Sequence, residues 1–561
     1  MRRFWVPACV VLLVCLLVAW ASKSPLALSP PLSESANDAA SITSELNQYF
    51  ERRWQKANLA PAALLAGEDE LQVLRRLSLA LHGTIPSLED IRRFEADDEP
   101  DRILRWASAM LEDRRFADYF AERLARSFVG TEGGQFIVYR RDRFVDWLAE
   151  EIHAHRPYDE IVRQMIEDEG LWTDSPATNF LTSAFNEGEF DENKLAGRTA
   201  RAFLGQSMDC AQCHDHFFAD WTQEQFQGLA AFYGQARLSL VGVNDRVRNK
   251  KGPIEYSYEL RKPAGDGEEI VEQVRIAEAV PFGEEWLPEE GTRRERLAAW
   301  ITHPENRRFE RAIANRVWGL LFGEALTAKH EDENVETRPV DDMLDPAPID
   351  PENPGDALDL LGRDFREHDY DLRRLILAIV ISKPFRLSSD HPAETEQDYQ
   401  RHEQAWAVFP LSRLRPEQVI GSMLQSASIK TIDQNSHLLV RTIRFFRERN
   451  FVNSYGELGA DELQERSGTI AQALLRMNGK LSKELTDANL FSAAGRIAST
   501  AGTDEKCLET LYLVCLTRRP TPAEMEALLP QLKDKEKQAR QRTVEDLVWP
   551  MFNLEEFSWN H

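Results

Sequence analysis

Apolar residues recur three and four positions apart through most of this chain. Leu71, Leu74, Leu77 and Leu81 form one stripe, Phe116, Tyr119, Phe120 and Leu124 a second, and Leu195, Thr199, Ala202 and Phe203 a third. That spacing puts each set on one face of a helix, so each predicts a helix with one buried side. From about 236 to 281 the period shortens to alternation, as in Ile254-Glu255-Tyr256-Ser257-Tyr258-Glu259-Leu260, and is broken by the turn-forming run Lys262-Pro263-Ala264-Gly265-Asp266-Gly267; these are strand signals. Helical periodicity resumes at Arg293 and runs toward the C-terminus, interrupted by the Pro- and Asp-rich stretch 341–356. The pattern predicts a mainly α protein: a helical domain over 46–235, a small β-rich connection over 236–290, a second helical domain over 291–545, and a tail over 546–561.

Helix boundaries are legible at several points. Arg198 to Leu204 reads as a helix stopped by Gly205, and Thr222-Gln223-Glu224-Gln225 as a capping box opening the next, which continues through Phe226, Leu229, Ala230 and Phe232. Pro86-Ser87-Leu88-Glu89-Asp90 and Pro520-Thr521-Pro522-Ala523-Glu524 each follow an apolar helical run and open another helix. This echo is helix-turn-helix grammar rather than a functional repeat, because capping signals recur widely. Arg311, Asn315, Arg316 and Trp318 lie in an otherwise apolar stretch, which predicts a buried helix whose polar groups are satisfied internally.

The N-terminus sets the expected compartment. Met1-Arg2-Arg3 precedes an uncharged apolar run from Phe4 to Ala21 that ends in Ala19-Trp20-Ala21, a secretory signal with a small-residue cleavage site, or an uncleaved membrane anchor (1–21). Either way the bulk of the chain is expected to be exported to the periplasm or cell envelope. The Ser-, Pro- and Ala-rich residues after it read as a flexible linker over 22–45. The 561 residues carry 68 Lys and Arg against 93 Asp and Glu, a net charge of −25, so a nucleic-acid partner would be repelled over most of the surface. Outside the signal only Cys210, Cys213, Cys507 and Cys515 remain. A disulfide framework needs more, and stability is expected from apolar cores. Cys507 and Cys515, eight apart on a helical pattern, read as small buried core residues.

One segment spells out a chemistry. In Cys210-Ala211-Gln212-Cys213-His214 two thiols three residues apart are followed at once by an imidazole, the attachment signature of a c-type haem. On a helical turn both sulfurs share a face and can reach the two vinyl groups of one porphyrin while His214 ligates the iron. With 6 Cys and 12 His in the chain, composition alone gives the pattern about 0.0014 times. Phe217, Phe218, Trp221 and Phe226 could wall a porphyrin edge, or simply be core. His216 points to another helical face and is a poor sixth ligand; Met208, His82 and His153 are candidates without a spacing to single one out.

Residues 195–234, above all Gly197-Arg198-Thr199-Ala200-Arg201-Ala202-Phe203-Leu204-Gly205 and the run from Cys210 to Glu224, resemble the cytochrome-like domain of secreted planctomycete proteins, a family of unknown function. Leu79 to Glu89, with Gly83 and Pro86-Ser87, resembles the start of that domain. The C-terminal half resembles its usual companion, a planctomycete domain of unknown function, through 311–323, Phe385-Arg386-Leu387-Ser388-Ser389 and Arg518-Arg519-Pro520-Thr521. The resemblance implies export and a c-type haem but supplies no substrate. Where the companion commonly carries Ser-His-Pro-Glu, this chain has Asn353-Pro354-Gly355-Asp356, with Pro354 at the His position.

Three readings follow. The first is a haem c protein for electron transfer or small-molecule redox chemistry, with Cys210 and Cys213 as tethers, His214 as proximal ligand and an envelope redox partner or other exported protein to exchange with. The second uses Cys210, Cys213, His214 and His216 as ligands of a structural or catalytic zinc. The third is an envelope binding or scaffold protein with no cofactor, in which Cys210 and Cys213 form a local disulfide. Hydrolase motifs such as G-x-S-x-G, H-E-x-x-H and a phosphate-binding loop do not occur. Asp341, Asp342, Asp345, Asp350 and Glu352 lack calcium-loop spacing and read as solvated loop.

Overall fold

The protein is mainly α-helical, as the dominant periodicity requires. A computed structural model describes residues 30, 34–132, 138–216, 220–249, 252–265, 268–328, 339–348, 355–391, 393, 395–432, 451–452, 454–455, 463, 469–487 and 492–561. Leu71, Leu74, Leu77 and Leu81 are buried within the Glu70–His82 helix, and Phe116, Phe120 and Leu124 within Arg114–Val129. Sequence punctuation operates as capping chemistry. Ser87 accepts the Asp90 amide at 3.0 Å, and Thr521 and Glu524 satisfy each other's backbone amides in a full capping box.

Between the helical halves lie hairpins: Ala236–Ser239 with Gly242–Asp245, Arg248–Asn249 with Gly252–Pro253, and Ser257–Gly265 with Glu268–Arg275. The register of the last shifts between Pro263 and Gly265, where a proline lacking an amide proton is tolerated. Among the described residues every sheet has two strands, so the β segment is a set of ribbons fastened to helices.

Two expectations from composition are corrected. The linker over 22–45 is helical from Glu34, because a helix spans Glu34–Lys56. Its Ser- and Ala-rich start hides a stripe of Ala39, Ile42, Leu46, Phe50 and Trp54, all buried, at the spacing that packs one helical face. That face rests on the C-terminal half: Phe50 stacks on Trp318 with ring centroids 5.6 Å apart, Thr43 donates to the Ala378 carbonyl at 3.2 Å, and Trp54 donates to that of Ala405 at 2.9 Å. The tail over 546–561 is likewise part of the fold. It continues the Lys537–Asn553 helix, buries Phe552 and Phe557, and pairs Trp559–Asn560 with Ser412–Arg413. Residues 1–21, with the signal or anchor segment, lie outside the described residues, among which no helix is long and apolar enough to cross a membrane. The buried apolar residues of both halves form one continuous cluster.

Candidate functional site

The Cys210–His214 turn is built from the core outward. The Glu192–Thr199 helix widens into a π turn over Ala200–Leu204 and stops at Gly205, whose φ of +61° favours glycine. Gly205 also leaves a notch: a Cβ there would overlap the Met343 side chain. Met343 donates its amide to the Gly205 carbonyl at 2.7 Å, and the Gln206 side chain donates to the Met343 carbonyl. The chain then turns through Met208, which is buried, into a 3-10 turn over Asp209–Gln212.

That turn sorts its side chains. Ala211 is buried, whereas Cys210, Cys213 and His214 are exposed. Cys210 lies within this turn and Cys213 is the residue that closes it, with the Ala211 amide donating to the Met208 carbonyl at 2.9 Å. The far side is tied to the next helix, Gln223–Ala231: the Gln223 amide donates to the Asp215 carboxylate at 2.9 Å and its side chain to the Gln212 carbonyl at 3.2 Å. Thr222 and Gln225 form the expected capping box, and the His216 amide donates to the Trp221 carbonyl at 2.8 Å.

His214 Nδ1 lies 2.8 Å from the Asp215 carbonyl oxygen. A carbonyl only accepts, so in this contact Nδ1 donates, and Nε2 is the nitrogen that would face a metal. Two exposed thiols three residues apart, followed by an imidazole that donates from Nδ1, suit the donor set of a c-type haem. The expected aromatic wall is only partly there. Phe226 is turned into the core, Phe217 and Phe218 lie outside the described residues, and Trp221, half-buried, donates from Nε1 to Gln206 Oε1 at 3.1 Å. Of the candidate sixth ligands, His82 Nε2 stands 3.0 Å from the Met110 carbonyl and Met208 is buried; Arg373 donates to the His153 backbone carbonyl at 3.0 Å, while the His153 Nδ1 atom is buried without a hydrogen-bond partner among the described residues.

Among the described residues no group of three or more His, Cys, Asp or Glu stands close enough to hold a metal ion, and Cys210 and Cys213 are free thiols. Cys507 and Cys515 are buried, and burial pushes the Cys515 thiol up to about 12.

The second domain supports the turn in a way the sequence did not reveal. The Arg307–Phe322 helix places the Arg308 guanidinium 5.2 Å from the Trp221 ring and 5.4 Å from that of Phe282. Burial, then Arg311, lowers the pKa of Arg308 to about 10. Arg308 pairs with Asp345 and Arg316 with Asp341, so these two acids are arginine partners rather than calcium ligands. Asp350 and Glu352 lie outside the described residues, as do Asn353 and Pro354. Asp356 caps the Ala357–Glu367 helix and accepts from Arg311 at 2.8 Å. Gln206 and Met343 are 137 residues apart; the stop signal at Gly205 was the one local hint that something packs there.

Residues 45–237 match the PSCyt2 family, described as a protein of unknown function (DUF1549). Residues 293–532 match PSD1, likewise a protein of unknown function (DUF1553). No curated protein and no solved structure gave a significant match. The Cys210–His214 turn falls within the first matched region, and the helix bearing Arg308 within the second. The chain is therefore built from a PSCyt2-like domain followed by a PSD1-like domain, a pair whose function neither description states.

Proposed function

We propose that the chain is an exported c-type haem protein serving electron transfer or small-molecule redox chemistry in the cell envelope. In this reading Cys210 and Cys213 would hold the group through two thioethers, each the product of an S–H added across a vinyl group and so needing no oxidant, and His214 would ligate its iron through Nε2, with the ring steadied by the hydrogen bond from Nδ1 to the Asp215 carbonyl. Asp215 and Gln223 fix the far side of the turn. The bound group would supply one-electron chemistry at iron, at a potential set by the axial ligands and surroundings. The observation that carries the proposal is that two free, exposed thiols stand in and at the end of one 3-10 turn, followed at once by an exposed imidazole whose Nδ1 faces the Asp215 carbonyl. The export reading rests on Met1-Arg2-Arg3 and the apolar run behind it.

The full chain produced with periplasmic haem-maturation machinery is expected to show a reduced c-type absorption spectrum that survives acid-acetone extraction, since only a thioether link keeps pigment on the polypeptide. Cys210→Ala with Cys213→Ala is expected to release it. A colourless product under conditions where a control cytochrome matures overturns the proposal. Elemental analysis of that product then separates a zinc protein from a metal-free one.

A further inference from the structure

A groove of about 380 Å³ opens where the two matched regions meet. Ser44 and Asn47 line it from the Glu34–Lys56 helix, Asp101 and Leu104 from the start of the Arg102–Glu112 helix, and Ile381 and Arg386 from the second region. Its volume falls in the range of small-molecule pockets rather than of single-ion sites.

Four charged side chains line this groove, and two of them already satisfy each other. Arg102 donates from Nε to the Glu70 carboxylate at 3.1 Å and pairs with it through Nη2. Arg386 and Asp101 remain. The Arg386 guanidinium comes no nearer than 3.9 Å to a carboxylate, that of Glu70, and its side chain is 34% exposed. Its Nε is buried without a hydrogen-bond partner among the described residues, although its backbone is fixed by the Leu65 amide, which donates to the Arg386 carbonyl at 2.9 Å. Asp101 is exposed and precedes a helix, yet its side chain does not cap that helix, and it forms no ion pair among the described residues. A free guanidinium and a free carboxylate thus stand in one groove without pairing to each other.

We infer that this groove binds a small amino-acid zwitterion with an apolar side chain, its carboxylate on Arg386, its ammonium on Asp101 and its side chain against Leu104 and Ile381. A simple anion would be repelled by Asp101, and a simple cation by Arg386. A wholly apolar ligand would cover both charges unpaired, which is costly. Only a ligand bearing both signs satisfies both walls, and the planar guanidinium fork matches a carboxylate. Arg386 and Asp101 take no part in the haem reading, on which this inference does not rest.

The test is isothermal titration of the full chain with leucine, N-acetylleucine and leucinamide. Leucine is expected to bind saturably, and each blocked form, lacking one of the two charges, about tenfold more weakly. Leucine should also slow hydrogen exchange at the start of the Arg102–Glu112 helix. Arg386→Gln is expected to weaken leucine binding and to abolish the preference over leucinamide, and Asp101→Asn to abolish the preference over N-acetylleucine. Asn tolerates the φ of +56° at position 101, and the Arg386 side chain donates no hydrogen bond among the described residues. Both variants should therefore unfold at the midpoint of the unmodified protein, which shows that they are folded. The comparison of three ligands on the unmodified protein decides the matter even without them. No saturable leucine binding, a blocked form binding as tightly as leucine, or binding that leaves the helix start unprotected overturns the inference.

Discussion

His82 shows how far a single environment can move a titratable group. It ends the Glu70–His82 helix inside the core, with Nε2 facing the Met110 carbonyl. Burial first, then Arg115, lowers its pKa from 6.5 to about 4. The folded state thus binds the proton less readily than the unfolded chain. The stability this contributes is fully present above pH 6.5 and is lost as pH falls toward 4, by up to about 3 kcal/mol. Glu310 runs the opposite way: burial, opposed by Arg366, raises its pKa to about 7, so its contribution is present at low pH and is lost as pH rises through 7. The two slopes offset each other in the parent protein, and a variant comparison isolates one of them. His82→Gln keeps a donor for Met110 and has no proton to gain. In denaturant titrations its stability deficit at pH 7.5 is expected to shrink steadily toward pH 4.5; parallel profiles would show that His82 does not titrate as its burial requires.

At the scale of the element, the Arg307–Phe322 helix shows how polar residues survive in a core. Asn315 is fully buried. Its Nδ2 donates to Thr327 Oγ1 at 2.9 Å, and its Oδ1 accepts the Thr327 amide at 3.3 Å. Arg311 reaches Asp356 and Asp359, and Trp318 stacks on Phe322 with centroids 4.4 Å apart. Of the four residues expected to be architectural and satisfied internally, Asn315 finds its partners and Arg311 and Arg316 pair with acids, whereas Arg311 Nε, Arg316 Nε and Trp318 Nε1 are buried without a hydrogen-bond partner among the described residues. Asn315→Ala removes both hydrogen bonds to Thr327 and should lower stability by about 1–3 kcal/mol, read as a fall in the unfolding midpoint. Unchanged stability with lost binding to an envelope component would place function on this helix instead. The capping signals at Thr222 and Thr521 are legible in the sequence because they are local. The helix at Glu34 is not, because what holds its apolar face in place lies more than 250 residues further on, at Trp318 and Ala378.

Across the whole molecule the two matched regions share one core. The Glu34–Lys56 helix lies against the second region, Arg123 donates to the Leu320 carbonyl at 2.8 Å, and Arg76 donates to the carbonyls of Phe385 and His561, each at 2.8 Å. Neither half can bury its apolar face without the other. Calorimetry of the full chain is expected to give a single cooperative endotherm, and residues 30–290 produced alone should lack cooperative unfolding. Two separable transitions would show that the shared core is not what stabilises the halves.

The sequence by itself determined what depends on neighbours within about one helical turn: the helical class, the caps, the hairpin segment, and the spacing of thiols and imidazole in Cys210-Ala211-Gln212-Cys213-His214, which is a matter of residue types alone. It also placed the changes of period near 236 and 293. Tertiary structure decided which surfaces meet. It made a linker into a core helix and a tail into a strand partner, turned Phe226 inward, and seated Met343 in the notch of Gly205 beneath the cysteine turn. It also left Leu240 and Val241 in solvent, where sequence pattern alone would read them as one more apolar pair. The reason is physical: propensity and capping act along the chain, whereas burial is set by contacts between segments hundreds of residues apart.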